Sequence, residues 1–173
     1  MPMTPLMERF PELGARETRS VTVPPRQELP RGEYGFLELY CDDPGCDCRR
    51  IMITVLRPET GCSKIWATIG YGWESLDFYR KWGGPASDPI EIKGPYLDPI
   101  NPQTKYSPAL LDLFRFLLQS REYVERIQRH YQMFRDSVQK EYGRQETTWT
   151  ADTWQHLRPR SSLSTFSLPR RSY

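Results

Sequence analysis

Three stretches in the first half of the chain alternate apolar and polar side chains with a period of two, which is typical of half-buried β-strands. They cover residues 35–41, 50–56 and 64–71. The connecting segments are short and carry no long helical pattern, so the sequence predicts an antiparallel meander. The alternation places three sets of side chains on common strand faces: Leu37, Leu39 and Cys41; Ile51, Ile53 and Val55; Ile65, Ala67 and Ile69.

The second half of the chain changes to a helical period. Ser107-Pro108 is a typical helix start, with Ser as the N-cap and Pro just inside the helix. We expect the helices that follow to cover one face of the meander, which makes the predicted fold class α+β. Their apolar stripe continues until Gly143 and consists of Leu110, Leu113, Phe114, Leu117, Val124, Ile127, Tyr131, Phe134 and Val138.

Between the strands and these helices, residues 85–108 hold six prolines and predict an ordered strap over the surface. Within the strap, Ile90-Glu91-Ile92 alone has a strand pattern and predicts an edge strand. Residues 74–82 predict a short helix that Gly83-Gly84 ends.

The pattern divides the chain into four parts. Residues 1–33 are Pro- and charge-rich and predict an N-terminal arm packed on the domain. Residues 34–143 form the predicted α+β domain, and residues 144–157 are an extension whose structure the pattern leaves open. Residues 158–173 contain four arginines and no acidic residue, so we expect a disordered basic tail.

Charge and cysteine usage narrow the class of protein. The chain has 24 basic and 22 acidic residues and a net charge of +2, too close to neutral to indicate a nucleic-acid-binding protein as a whole. It has no apolar run that could cross a bilayer, and its first residues lack a signal-peptide pattern. We therefore expect a cytoplasmic protein, in which clustered cysteines more often bind metal than form disulfides.

Three of the four cysteines lie within eight positions, at Cys41, Cys46 and Cys48. Asp43-Pro44-Gly45 has strong turn chemistry and predicts that the chain folds back, with Gly45 supplying a positive φ. Three converging thiolates suit a soft or borderline cation, so the sequence predicts a knuckle with one zinc ion between the first two core strands. The alternatives are packed or exposed thiols at a turn, and a redox site.

A zinc knuckle needs a fourth ligand. Cys62 lies at the far end of the second strand, roughly 23 to 26 Å away at about 3.3 Å per residue, so geometry argues against it. His130 is the better candidate because it flanks the apolar stripe of the helix that should cover the sheet. The alternative for His130 is a core-edge histidine bonded to a backbone carbonyl. His156, Asp42 and Asp47 also stay open as ligands.

The motifs of known metalloenzymes are missing from the chain. It has no His-Glu-x-x-His, no deaminase signature and only two histidines. A structural metal in a non-enzymatic interaction or adaptor module is therefore the first hypothesis. Aromatic residues crowd positions 66–82 and fit core packing better than a stacking pocket. The alternatives are a metal-dependent hydrolase, a thiol-redox enzyme, and a weak nucleic-acid binder that uses the basic tail and the aromatic side chains.

The chain resembles an uncharacterised bacterial family over about residues 15–140. The resemblance is carried by Glu17-Thr18-Arg19, by Gly32-Glu33-Tyr34, by the knuckle from Tyr40 to Arg50, and by the helix segment from Tyr123 to Phe134. Members of that family often end in a SEC-C type zinc motif, which this chain lacks. The resemblance implies that Cys41, Cys46, Cys48 and His130 belong together, and it implies no known activity.

Overall fold

The computed structural model describes residues 3–25, 28–59 and 62–156, with side chains up to residue 143. The described residues up to 140 form one compact unit, and those from 141 to 156 belong to a second. The predicted disordered tail at 158–173 lies outside the described residues. None of the described helices is both long enough and apolar enough to span a membrane.

The first unit is built on an antiparallel sheet of six strands. Their order is β1-β3-β4-β5-β6, and β2 pairs with β3 beside β1. The predicted meander of three long strands corresponds to β3, β4 and β5, and the predicted α+β class is confirmed. The strands are β1 (Met3–Pro5), β2 (Arg19–Val23), β3 (Gly32–Cys41), β4 (Arg50–Glu59), β5 (Cys62–Gly72) and β6 (Tyr96–Leu97).

The described part of the chain also contains six helices: α1 (Leu6–Arg9), α2 (Pro11–Glu17), α3 (Leu76–Gly83), α4 (Pro89–Lys93), α5 (Ser107–Leu117) and α6 (Arg121–His156). Ser107 is the first residue of α5 and not its N-cap, a position taken by Tyr106. Its hydroxyl instead accepts from the Thr104 backbone N–H at 2.8 Å and donates to the Trp66 carbonyl at 3.0 Å. The helix predicted to end at Gly143 continues to His156.

Helices α5 and α6 cover one face of the sheet, as the apolar stripe predicts. The face of β3 that they cover carries Tyr34, Phe36, Glu38 and Tyr40, all buried. Phe36 stacks on Phe114 of α5 at 6.1 Å, and Tyr40 meets Phe134 of α6 at 5.6 Å between ring centroids. Because strand side chains alternate between faces, the set of Leu37, Leu39 and Cys41 lies on the opposite face, away from these helices.

One member of the side-chain set predicted for a common face of β5 is wrong. Ile65 is exposed, whereas Trp66 is buried. The register between β4 and β5 shifts at Val55 and Leu56, and such a bulge changes which side chain points inward. Trp66 thereby packs edge-on against Tyr34 at 5.6 Å and stacks on Tyr106 at 4.7 Å.

The strap runs along the edge of β5 that does not pair with β4. Gln103 donates to the Thr68 carbonyl at 2.7 Å, and Thr104 donates to the Trp66 carbonyl at 2.7 Å. The predicted edge strand at Ile90-Glu91-Ile92 is wrong, since these residues lie in α4. The Asp88 carboxylate caps the Ile90 backbone N–H at 2.8 Å, with Pro89 in the first turn, and these signals outweigh three residues of alternation.

Gly72, at the end of β5, has no room for a side chain because a Cβ there would collide with the Tyr79 ring. We expect Gly72→Ala to destabilise the protein by about 1 to 3 kcal/mol, since Tyr79 is fully buried and would have to shift. Gly35→Ala is the matched control, because a Cβ at this strand glycine meets no atom within 4 Å. Urea unfolding of both variants measures the difference, and equal stability would contradict the predicted collision.

Candidate metal centre

The structure brings together the three cysteines that the sequence clusters. Cys41 ends β3, Cys46 and Cys48 lie in the loop that follows, and β4 begins at Arg50. The three sulfur atoms all lie within 4.8 Å of one another. All three residues are buried, and all four cysteines of the chain are described, with no disulfide among them. The predicted cluster is therefore confirmed, and its sulfur atoms lie close enough to one another to hold a metal ion.

The loop folds back at the turn predicted from Asp43-Pro44-Gly45. The Cys46 N–H donates to the Asp43 carbonyl at 3.1 Å, and the Gly45 N–H donates to the Asp43 carboxylate at 2.8 Å. The positive φ expected at Gly45 falls instead on Arg49, at 45°. The Asp43 side chain closes an Asx-type turn, which needs no positive φ at its third residue. The residue with positive φ is Arg49, later in the loop and directly before β4.

A backbone N–H stabilises each of the three sulfurs, from the residue two positions further along the chain. Asp43 supplies it to Cys41, Cys48 to Cys46, and Arg50 to Cys48. A hydrogen bond to a thiolate favours the charged form that binds a metal. The loop therefore places three backbone donors around the cluster before any metal is considered.

The thiols also act on one another's pKa values. A hydrogen bond from Cys48 lowers the pKa of Cys41 to about 6. The same bond, together with burial, raises the pKa of Cys48, and burial raises the pKa of Cys46. The cluster thus favours a thiolate on Cys41 over thiolates on Cys46 and Cys48, and a metal ion bound by all three sulfurs would displace the remaining thiol protons.

Two tyrosines tether the loop to its surroundings. Tyr131 of α6 donates to the Asp47 carboxylate at 3.1 Å and accepts from the Arg49 N–H at 3.3 Å. Tyr79 of α3 donates to the Arg49 carbonyl at 2.6 Å. The Arg49 guanidinium pairs with Asp47 at 3.1 Å and with Glu74 at 3.0 Å, and its hydrogen bond to Asp47 lowers the pKa of that carboxyl group.

Apolar side chains shield the cluster on the face opposite to α6. Met3 of β1 and Trp82 of α3 pack against the three cysteines. The pairing of Met3 with Cys41 in the sheet brings β1 to this position. Sequence reasoning missed Met3, Tyr79 and Tyr131 as supports, since each reaches the loop from a distant element. The only sequence signal was the aromatic crowding near Tyr79.

The structure places His130 away from the thiols. Its Nδ1 lies 2.6 Å from Glu38 Oε2, and its Nε2 lies 3.1 Å from Glu17 Oε2. Tyr40 donates to the same Glu38 oxygen at 3.0 Å. The reason is strand alternation: α6 covers the face of β3 that carries Glu38 and Tyr40, whereas Cys41 points to the other face. In the alternative interpretation His130 bonds to a backbone carbonyl, but its ring nitrogens contact these two carboxylates instead.

Burial raises the pKa of Glu17, but the hydrogen bond to His130 and the charge of Arg129 outweigh it, so the pKa lies below its usual value.

The other ligand candidates lie at separate positions. Cys62 is exposed at the start of β5, outside the cluster, as the strand length predicts. Asp42 accepts from the Thr4 hydroxyl at 2.8 Å, and Asp47 is held by Tyr131 and Arg49. The side chain of His156 lies outside the described part of the chain. Among described residues, no further histidine, cysteine or carboxylate joins the three thiols in a ligand group.

The donor set fits a borderline or soft metal ion. Two thiolates bound to one zinc ion at about 2.3 Å each lie roughly 3.8 Å apart, which is compatible with the observed separations. Such an ion would join the end of β3 to the loop before β4. It would neutralise thiolates that burial otherwise disfavours.

Tyr131→Phe removes the hydroxyl that bridges Asp47 and the Arg49 backbone. We expect a loss of about 1 to 2 kcal/mol in unfolding free energy and faster thiol alkylation in metal-free protein, because the loop opens more often. Tyr142→Phe on the same helix is the control, since Tyr142 is exposed. Denaturant unfolding and thiol titration test this prediction, and unchanged alkylation would contradict the tether.

No protein-family model, curated protein or solved structure matches this chain.

Proposed function

We propose that the chain is a metal-binding interaction module in which Cys41, Cys46 and Cys48 hold one structural zinc ion. The observation that carries the proposal is the set of three buried sulfurs within 4.8 Å, each stabilised by a backbone N–H. This arrangement suits a site that binds metal as part of folding. The fourth ligand is open to a partner's side chain or a rearranged residue.

A structural role is favoured over catalysis by what surrounds the cluster. The thiols are buried beneath Met3 and Trp82, and the ion would clamp the junction of β3 and β4. His130, the one histidine whose side chain is described, is engaged by two carboxylates and not by the thiols. A metal-dependent hydrolase would need an exchangeable position and a nearby general base.

We further propose that the module acts in the cytoplasm, through a protein partner and not through a membrane. The near-neutral charge of the chain supports a protein partner over nucleic acid. The resemblance to an uncharacterised bacterial family supports a common site for the three cysteines. It is carried by the same knuckle, from Tyr40 to Arg50, that forms the cluster.

Metal analysis of the full chain, combined with thiol titration, tests the proposal. We expect about one zinc ion per chain and thiols at the cluster that alkylate only after chelation. Zinc with an exchangeable water, seen by cobalt substitution and anion titration, would favour the hydrolase. A chain without metal whose clustered thiols alkylate quickly would favour redox chemistry and overturn the proposal.

A further inference from the structure

A polar pocket of about 430 Å³ lies beside the cysteine loop. Its volume is in the range of sites that hold small molecules or the end of a peptide. The loop contributes Asp47 and Arg49, the segment after β5 contributes Trp73 and Glu74, and one face of α6 contributes the rest. The three clustered cysteines do not line it, so the pocket is distinct from the metal centre.

The α6 face of the pocket is rich in amides. Gln128, Gln132, Arg135 and Gln139 line it, and their spacing of four, three and four residues puts them on one side of a helix. Each glutamine amide offers both a donor and an acceptor. A peptide backbone presents the same two groups in alternation, so this face is complementary to a short extended peptide.

Arg135 is the residue of the pocket with an unsatisfied hydrogen-bond donor. Its Nη1 is buried and has no hydrogen-bond partner within the described part of the chain. Arg49, by contrast, is engaged by Asp47 and Glu74. A buried donor without an acceptor is unfavourable, and an arginine binds a carboxylate with paired, charge-assisted hydrogen bonds.

The charge of the lining argues against a ligand with several negative groups. The lining carries two carboxylates and two guanidinium groups and is formally neutral. A phosphate chain with several charges would meet Asp47 and Glu74 without enough cations to balance it. The Trp73 indole packs edge-on against Tyr131 at 5.1 Å and provides a fixed apolar wall with one N–H donor.

We propose that this pocket binds the C-terminal carboxylate of a partner peptide, with Arg135 pairing the carboxylate and the α6 glutamines bonding the last amide groups. The inference deepens the proposed role as an interaction module and rests on it. Because Asp47 and Arg49 belong to the cysteine loop, a metal that orders the loop also shapes the wall of the pocket.

The test uses the full chain and three probes: N-acetyl-alanyl-alanine with a free carboxylate, its C-terminal amide, and inorganic phosphate. The readout is the ¹H–¹⁵N NMR signal of the Trp73 indole, assigned with Trp73→Phe. We expect the free acid to shift this signal in a saturable way, and Arg135→Met to weaken binding by about tenfold or more. Arg121→Met is the matched control, since Arg121 lies on the same helix with a side chain 90% exposed.

Equal binding of the acid and the amide would overturn the proposal, as would unchanged affinity in Arg135→Met. A response to phosphate alone, or to none of the probes, would also overturn it. Zinc content is measured on the same samples, so the two proposals can fail separately. Metal-loaded protein that ignores the acid refutes the pocket alone, whereas metal-free protein that binds the acid refutes the zinc proposal alone.

Discussion

Chelation of the proposed zinc ion is expected to lower the melting temperature by roughly 8 to 16 °C without abolishing the fold. A ligand present at 1,000 times its dissociation constant stabilises the folded state by about 4 kcal/mol. In a domain of this size each kcal/mol corresponds to about 2 to 4 °C. The core of sheet, α5 and α6 lies apart from the cluster, so the fold persists without metal. Thermal unfolding with and without a chelator measures the change.

Two cysteine variants provide the matched comparison. Cys46→Ser removes a buried ligand and should reproduce the effect of the chelator, with loss of bound zinc. Cys62→Ser alters an exposed cysteine outside the cluster and should change neither the zinc content nor the melting temperature. Zinc loss in both variants would show that the metal is held by a different set of cysteines.

His130→Leu is expected to destabilise the protein by about 3 kcal/mol while leaving its zinc content unchanged. Removing one partner of a buried hydrogen bond leaves the other group unsatisfied, at a cost of about 1 to 3 kcal/mol. Both ring nitrogens of His130 contact carboxylates, Nδ1 that of Glu38 at 2.6 Å and Nε2 that of Glu17 at 3.1 Å, so the upper end of that range applies. Denaturant unfolding gives the stability, and metal analysis gives the zinc content.

The double variant Glu38→Leu/His130→Leu separates the effect of lost packing from the effect of leaving the Glu38 carboxyl group without its His130 partner. Removing both partners leaves no buried carboxylate, so this variant should be more stable than His130→Leu alone. Loss of zinc in His130→Leu, with the fold retained, would instead show that the histidine moves to the thiols when metal binds. In that case it would be the fourth ligand that the sequence predicts.

Several features of this protein could be predicted from the chain because they depend on local periodicity. The meander of β3, β4 and β5 follows from short connections and alternation, and the stripe from Leu110 to Val138 predicts the helices that cover it. The clustering of Cys41, Cys46 and Cys48 also needed only their spacing and a turn. In each case neighbours in sequence are neighbours in space.

Other features depended on which groups meet across the fold. The sequence shows that Leu37, Leu39 and Cys41 share a face of β3, but it does not show that α6 lies on the other face. Because α6 packs on that face, His130 lies away from the thiols and contacts Glu38 and Glu17. Likewise, the bulge between β4 and β5 places Trp66 in the core and leaves Ile65 exposed. Local patterns determined the elements and the thiol cluster, whereas tertiary packing decided the partners of His130 and the pocket at Arg135, because those contacts join residues far apart in the chain.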